Sequence, residues 1–481
     1  MYQKPFKKTE RSSIFLAAER DPKPAEIDPH PAEMAPKPLD HLPIFSLKGV
    51  QMRTFHITWL MFFVCFFGWF GLAPLMPAIR VDLGLTKTQV GNIIIASVAA
   101  TVIARLIIGK LCDTWGPRKT AIRLLVVGSL PVFLVGLSHD YTSFLLFRLA
   151  IGVIGASFVI TQFHTSMMFA PAIKGTANAF TGGWGNLGGG VTNMVMPLVF
   201  ASIVAMGYTP HLAWRYAMIL PGLLMLGMAW LYYKYTMDTP SGPLTRTDQP
   251  GPTGQSGQPA RAPHKTDWSV LADFRIWALV FAYAMCFGME LTFDNVASLH
   301  FVDTFKLSQA TAGFWAGTFG SMNLFARALG GIFSDKAGRH YGMKGKGLFL
   351  AGALALEGTG LILFGQATSL PLAIGLMLFF ALFLKMANGA TFGIVPFINE
   401  KNVGLISGIV GAGGNLGGVL FGFLFKSTSI SYARAFQYIG LVVIGVALLV
   451  MLTRFAVKTP SKKIAARNEE IILSDEELAI A

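Results

Sequence analysis

From Phe55 to Phe455 the chain is a run of apolar stretches, each about 20 residues long, with short polar breaks between them. Each is long enough to cross a hydrocarbon layer of roughly 30 Å as a helix. The expected spans lie near 55–79, 89–111, 120–137, 142–163, 175–206 and 213–235, and then near 274–301, 310–333, 347–365, 370–398, 403–425 and 432–455. This predicts an all-α membrane protein of about twelve transmembrane helices. Composition agrees: 53% of the 481 residues are hydrophobic and 13% charged, against about 25% charged in a soluble domain.

Charge sets the expected topology. The formal net charge is +14, but the basic residues gather at helix ends and tails, which points to membrane orientation and away from nucleic acid. Lys110, Arg118, Lys119 and Arg123 share one break, and Lys336, Arg339, Lys344 and Lys346 its counterpart, whereas Ser138-His-Asp140 and Gln366-Ala-Thr-Ser369 carry almost no positive charge. The basic breaks and both termini are therefore expected on the cytoplasmic side of a multi-pass protein of the cell membrane, plasma or inner. Residues 1–53 read as a disordered cytoplasmic tail, 54–236 and 272–456 as two six-helix bundles, 237–271 as a Pro-, Gly-, Gln- and Ser-rich cytoplasmic linker, and 457–481 as a cytoplasmic C-terminal tail. The three cysteines have no zinc or disulfide spacing. No phosphate-binding loop, His/Glu metal motif or nucleophile triad is present, so neither an enzyme nor a cofactor is expected.

The two halves repeat each other. Ala104-Arg105 leads into Gly109, Asp113, Gly116 and Arg118, and Ala326-Arg327 leads into Gly331, Asp335, Gly338 and Arg339, in the common spacing Arg-x3-Gly-x3-Asp-x2-Gly. Phe180-Thr-Gly-Gly-Trp-Gly-Asn-Leu-Gly-Gly-Gly190 is echoed by Gly411-Ala-Gly-Gly-Asn-Leu-Gly-Gly418. Residues 105 and 327 are 222 positions apart, and residues 186 and 415 are 229 apart. Two unrelated motifs at nearly one interval mark a tandem duplication.

Arg105 and Arg327 sit one to two turns inside the ends of their helices, where an arginine costs about 2.5–3.5 kcal/mol on insertion scales. Two-fold placement brings both toward the central axis, where facing cations repel unless an anion lies between them. A guanidinium is a planar fork of donors that matches a small planar oxyanion better than a sugar or a cation. The glycine faces allow close backbone approach, mostly for helix packing, and Asn186 and Asn415 can donate from their amides without adding charge. Glu290 and Asp294, at i and i+4, share one helix face and are candidates for carrying protons. Glu357 and Lys385 are further intramembrane charges, expected to pair with each other.

The Gly-x3-Asp-x2-Gly loop, present in both halves and followed by Arg118 or Arg339, resembles the structural signature of the major facilitator superfamily, which implies two pseudo-symmetric six-helix bundles with a substrate site between them. The two Gly-Asn stretches resemble the paired nitrate signatures of the nitrate/nitrite porter family. Thr391–Phe397 and Gly404–Gly408 add to the resemblance, and Thr292-Phe-Asp-Asn295 with Asn323-Leu-Phe-Ala-Arg327 is most similar to the high-affinity, proton-coupled branch. The resemblance implies that Arg105 and Arg327 clamp the anion and that Asn186 and Asn415 line the pocket. It implies further that Gly182 and Gly411 offer backbone to the substrate, and that Phe158, Tyr283 and Phe287 are pocket aromatics. The implied function is nitrate import, with nitrite as a second cargo, by alternating access coupled to protons. The alternatives are nitrate/nitrite exchange against a counter-anion and a nitrate receptor without flux.

Overall fold

A computed structural model describes residues 38–170, 173–243, 268–399 and 403–455. Eleven helical stretches there are long and apolar enough to cross a bilayer: Gly49–Asp82, Lys87–Trp115, Pro117–Leu137, Tyr141–Met168, Lys174–Ala205, Pro210–Tyr235, Phe274–Phe305, Gln309–Phe364, Leu370–Phe397, Leu405–Lys426 and Tyr432–Leu452. The eighth has 56 residues, about 84 Å of helix at 1.5 Å per residue, which is enough for two passes. It turns at Gly342, whose φ of +61° and ψ of −151° interrupt the helix. Its two arms are spans 8 and 9, which makes twelve spans in all and puts both ends of the bundle on one face. Among the described residues there is no β-strand, only two isolated bridges.

Two expectations need correction. The break between spans 8 and 9 is not an open loop, because residues 334–341 and 343–346 stay helical and the chain reverses at Gly342, four positions after the repeat predicts. That stretch contains no proline, so the helix continues until a glycine in the left-handed region lets it turn. In the first half the turn does fall at the repeated glycine, Gly116 with φ +83°, followed by Pro117 in the first helical turn. The first helix also starts at Gly49 rather than Phe55, and the segment before it is docked. Leu39 donates its N–H to the Met168 carbonyl and accepts from Ala170 N, while Leu39 and Leu42 pack beside Met52, Phe55 and Phe169. The remainder of the expected tail (1–37), most of the linker (244–267) and the C-terminal tail lie outside the described residues.

The duplication is visible in the packing. Span 1 lies along span 5 as span 7 lies along span 11, and span 3 along span 6 as span 9 lies along span 12. The halves meet through span 2 against span 11 and span 5 against span 8, pairs that the internal two-fold exchanges. Both contacts depend on missing side chains near the face opposite the termini. A Cβ on Gly320 would lie 2.3 Å from Gly190 Cα, one on Gly313 would lie 2.4 Å from Asn193 O, and one on Gly91 would lie 2.3 Å from Lys426 Cα. At the same mouth Arg80 of span 1 donates two hydrogen bonds of 2.8 Å to the Asp303 carboxylate of span 7. Lys87 reaches Ile430 O and the Tyr432 ring. The far end of the interface is thus sealed by backbone contact and one bidentate ion pair.

Gly320→Val should push spans 5 and 8 apart. A lower melting temperature in detergent and faster labelling of a cysteine placed at the Arg80–Asp303 mouth are expected, since overpacking costs about 1–3 kcal/mol. An unchanged melting temperature and labelling rate would contradict the close approach.

Candidate anion site

The positions of the two arginines follow from helix geometry. Arg105 lies inside span 2, and Arg327 lies in the first turn of the helix that restarts at Ala326 after the 3-10 turn Met322–Leu324. Arg105 reaches across the interface and donates from Nη1 to Gly411 O of span 11 at 3.1 Å. Arg327 donates from Nη2 to the Tyr283 hydroxyl of span 7 at 2.9 Å. The two guanidinium groups approach one ring: each Cζ lies 6.0 Å from the Phe287 centroid, so the two carbons are no more than 12 Å apart. Phe158 lies 5.1 Å from Arg105. Tyr283 stacks on Phe287 at 5.0 Å and takes Phe392 edge-on at 5.0 Å.

Among the described residues neither arginine has an ion-pair partner. Arg105 Nε and Nη2 and Arg327 Nη1 are buried without hydrogen-bond acceptors. Asn186, 1% exposed, has no partner on either amide atom. Asn415 donates to Gly411 O at 3.2 Å and leaves its own oxygen unpaired. Each unmatched buried group costs about 1–3 kcal/mol, more when charged. At an effective dielectric of about 20, two cations within 12 Å repel by about 1.4 kcal/mol or more. A small oxyanion relieves both penalties, because its oxygens accept from the free N–H groups and its charge screens the pair.

The glycines divide into two kinds. A Cβ on Gly185 would meet Phe62 Cδ1 at 1.9 Å, on Gly188 Phe63 O at 2.2 Å, on Gly414 the Tyr283 and Phe287 rings at 2.7 Å and on Gly417 Ala284 O at 2.1 Å. These positions serve helix packing. By contrast, a Cβ on Gly411 would find only Arg105 Nη1 at 3.8 Å, and one on Gly182 only Gln162 and Phe158 at 3.6 and 3.7 Å. Gly182 and Gly411 therefore present their open faces to the arginines and aromatics, and Asn186 and Asn415, one turn on, share those faces.

The candidate carboxylates lie apart from this group. Glu290 and Asp294 are both buried, not at a wetted helix end. Lys385 pairs with Glu290 at 2.7 Å, not with Glu357 as expected, because span 10 packs on span 7 and turns the lysine toward it. Asn323 and Asn388 also donate to Glu290, at 2.8 and 2.7 Å. The Asp294 oxygens have no partner and lie 3.0 Å from a Cβ built on Gly189, at the seam between the halves. The signature loops stand at the face of the termini. Arg118 N donates to Asp238 Oδ1 at 2.9 Å, beside Gly116, and Lys346 pairs with Asp335 at 2.5 Å. Gly109, Gly331, Gly338 and Arg339 belong to the same end, Gly109 and Gly331 one helical turn beyond Arg105 and Arg327.

Two buried cations escaped the sequence reading, Arg215 near the far mouth and, deeper, Arg148. Arg148 of span 4, 1% exposed, donates to Trp69 O at 2.6 Å and across the interface to Asn295 Oδ1 at 2.7 Å. It lies seven residues into an apolar stretch, so the criterion that picked out Arg105 would have found it.

The sequence profile of the Major Facilitator Superfamily matches residues 58–421. The chain belongs to that superfamily. Within it, the chain belongs to the nitrate/nitrite porter family. It is 39% identical over 394 residues to "High affinity nitrate transporter 2.5" of Arabidopsis thaliana, covering 81% of this chain and 77% of that protein. It is 38% identical over 419 residues to "High-affinity nitrate transporter 2.3" of Oryza sativa subsp. japonica, covering 86% and 79%. "Nitrate/nitrite transporter NrtP" of Picosynechococcus sp. is 29% identical over 470 residues, covering 79% and 85%. In fold, the chain matches the inward-open xylose transporter XylE from E. coli with a TM-score of 0.64 at 14% identity, covering 86% of this chain and 98% of that one. Its two bundles are thus the pseudo-symmetric halves of this superfamily, and its relatives are transporters, not enzymes.

Alanine substitution separates the two kinds of glycine. Gly182→Ala and Gly411→Ala should leave the melting temperature in detergent unchanged or raised, since alanine favours helix by up to about 1 kcal/mol. Gly188→Ala and Gly417→Ala should lower it by the clash of Cβ with backbone. Equal effects at all four sites would remove the distinction.

Proposed function

We propose that this chain imports nitrate, with nitrite as a second cargo, by alternating access of its two halves around Arg105 and Arg327. The observation that carries the reading is the pair of guanidinium groups, one from each half, that have no ion-pair partner and both approach Phe287. The relatives named as nitrate transporters support the choice of cargo. Nitrate is planar, with three equivalent oxygens, and each guanidinium edge can give two parallel N–H bonds to it. Gly182 and Gly411 leave room at the backbone, Asn186 and Asn415 supply neutral polar contacts, and Phe158, Tyr283 and Phe287 wall the site.

Cargo and motion are linked through the repulsion. With no anion between them the arginines oppose closure of the halves, and a bound anion removes that opposition, so the occluded state forms with cargo. We place both termini in the cytoplasm and the Arg80–Asp303 mouth on the outer side of the cell membrane, following the basic breaks at the face of the termini. Import of an anion against an inside-negative potential needs a second ion, and we assign this to protons. Of the two carboxyls on span 7, Glu290 is held by Lys385, Asn323 and Asn388. Asp294 has no side-chain partner among the described residues.

Arg105→Lys keeps the charge and loses the fork, so the KM for nitrate uptake into proteoliposomes should rise about 10- to 100-fold, the equivalent of one or two charge-assisted hydrogen bonds. Full retention of high-affinity uptake would remove the clamp. In the same vesicles, acid outside should drive accumulation with no nitrite inside. Uptake that occurs only against internal nitrite would make the protein an exchanger.

A further inference from the structure

Behind Arg327, the second half encloses a set of charges that the anion clamp does not use. Glu357 of span 9 is 0% exposed and neither of its oxygens has a hydrogen-bond partner. An ionised carboxylate is costly to bury without a partner, which makes Glu357 a candidate to hold a proton. The charges that act on it are Lys385 of span 10 and Glu290 of span 7. The Cys286 thiol of span 7 also senses it, and Asp294 lies on the same side of span 7 as Glu290, within the field of both Glu290 and Lys385.

Lys385 is placed to change partners. Its Nζ lies 2.7 Å from Glu290 Oε1, an oxygen it shares with Asn323, while Asn388 donates to the other. Its ammonium also rests 4.2 Å from the Phe319 ring centroid. Glu290 in turn acts electrostatically on Arg327, and Asn323, its hydrogen-bond donor, lies four residues before Arg327 on the same span.

We propose that Glu357 is a proton-binding site of the transport cycle, and that Lys385 transmits its ionisation to the anion clamp by moving between Glu290 and Glu357. When Glu357 holds the proton, Lys385 neutralises Glu290 and leaves the positive charge of Arg327 to the anion. When Glu357 gives up that proton to water, its carboxylate draws Lys385 across. Glu290, left with its full negative charge, then offsets Arg327 and weakens the anion's hold. Proton and anion thus favour each other's binding, as co-transport requires, and by linkage the effect is reciprocal. The inference rests on the anion reading of Arg105 and Arg327.

The test is nitrate binding to the purified full-length protein by calorimetry between pH 5 and 8. In the wild type, affinity should fall as pH rises, approaching tenfold per pH unit once Glu357 is ionised, and nitrate addition in weak buffer should take up protons. Glu357→Gln, which mimics the protonated acid, should bind nitrate at all pH values with the affinity the wild type reaches in acid, and should take up no proton. Should that variant fail to fold, Glu357→Met, of similar volume and without charge, gives the same reading. Asp294→Asn should keep the pH dependence. The inference is overturned by a neutral Glu357 variant that keeps the wild-type slope, by loss of that slope in Asp294→Asn, or by pH-independent nitrate binding in the wild type. Absence of nitrate binding at any pH would instead sink the anion reading, and this inference with it.

Discussion

The repulsion between two buried arginines, one from each half, is the constraint on which the rest of this structure turns. Neither has a carboxylate partner, and both approach one aromatic ring. Like charges in a low-dielectric interior are tolerated only where something else rewards them. Here Gly411 O, the Tyr283 hydroxyl and the faces of Phe158 and Phe287 hold the guanidinium groups in position without cancelling their charge. Dipoles and ring faces orient a cation, whereas a carboxylate would neutralise it and compete with an anionic cargo.

Bringing two such groups together needs close helix packing, and the glycines make that packing. At Gly185, Gly188, Gly414 and Gly417 a single methyl group would collide with a neighbouring helix. At Gly190, Gly313 and Gly320 the collision would be between the halves. The contact between the halves is therefore made largely of backbone and is smooth, which suits surfaces that must rock against each other. Polar latches cross it as well, among them Arg80–Asp303, Arg148–Asn295 and Lys87 on Ile430 O, and they are directional. Each can be exchanged for other partners or for water when the far end opens.

The second half carries a charge network that the first half lacks. Arg105 has no counterpart to the Glu290, Lys385, Asn323 and Asn388 cluster near it, although the clamp itself is two-fold. On the proposed reading, the duplication has kept the groups that meet the anion and changed what surrounds one of them, so a single titration in the second half would tip a symmetric clamp.

Much of this was legible in the chain alone. The lengths of the apolar stretches required membrane helices, and the recurrence of two motifs at intervals of 222 and 229 residues required two related halves. The cost of an intramembrane arginine marked Arg105 and Arg327 as candidates, because hydrophobic length and charge burial are local properties. The partners were not legible. Lys385 was expected to pair with Glu357, and the packing of the helices instead set it against Glu290. Asn323 and Asn295 were visible only as letters in matching stretches, and Arg148 passed unnoticed. Which glycines pack and which line the site was also hidden, since every glycine lacks the same side chain and only the neighbouring helix distinguishes them. Sequence determined the number of crossings, the internal repeat and the charges that had to be answered. Tertiary structure alone decided which groups answer them, because a partner across a helix interface depends on rotations and crossings that no local pattern encodes.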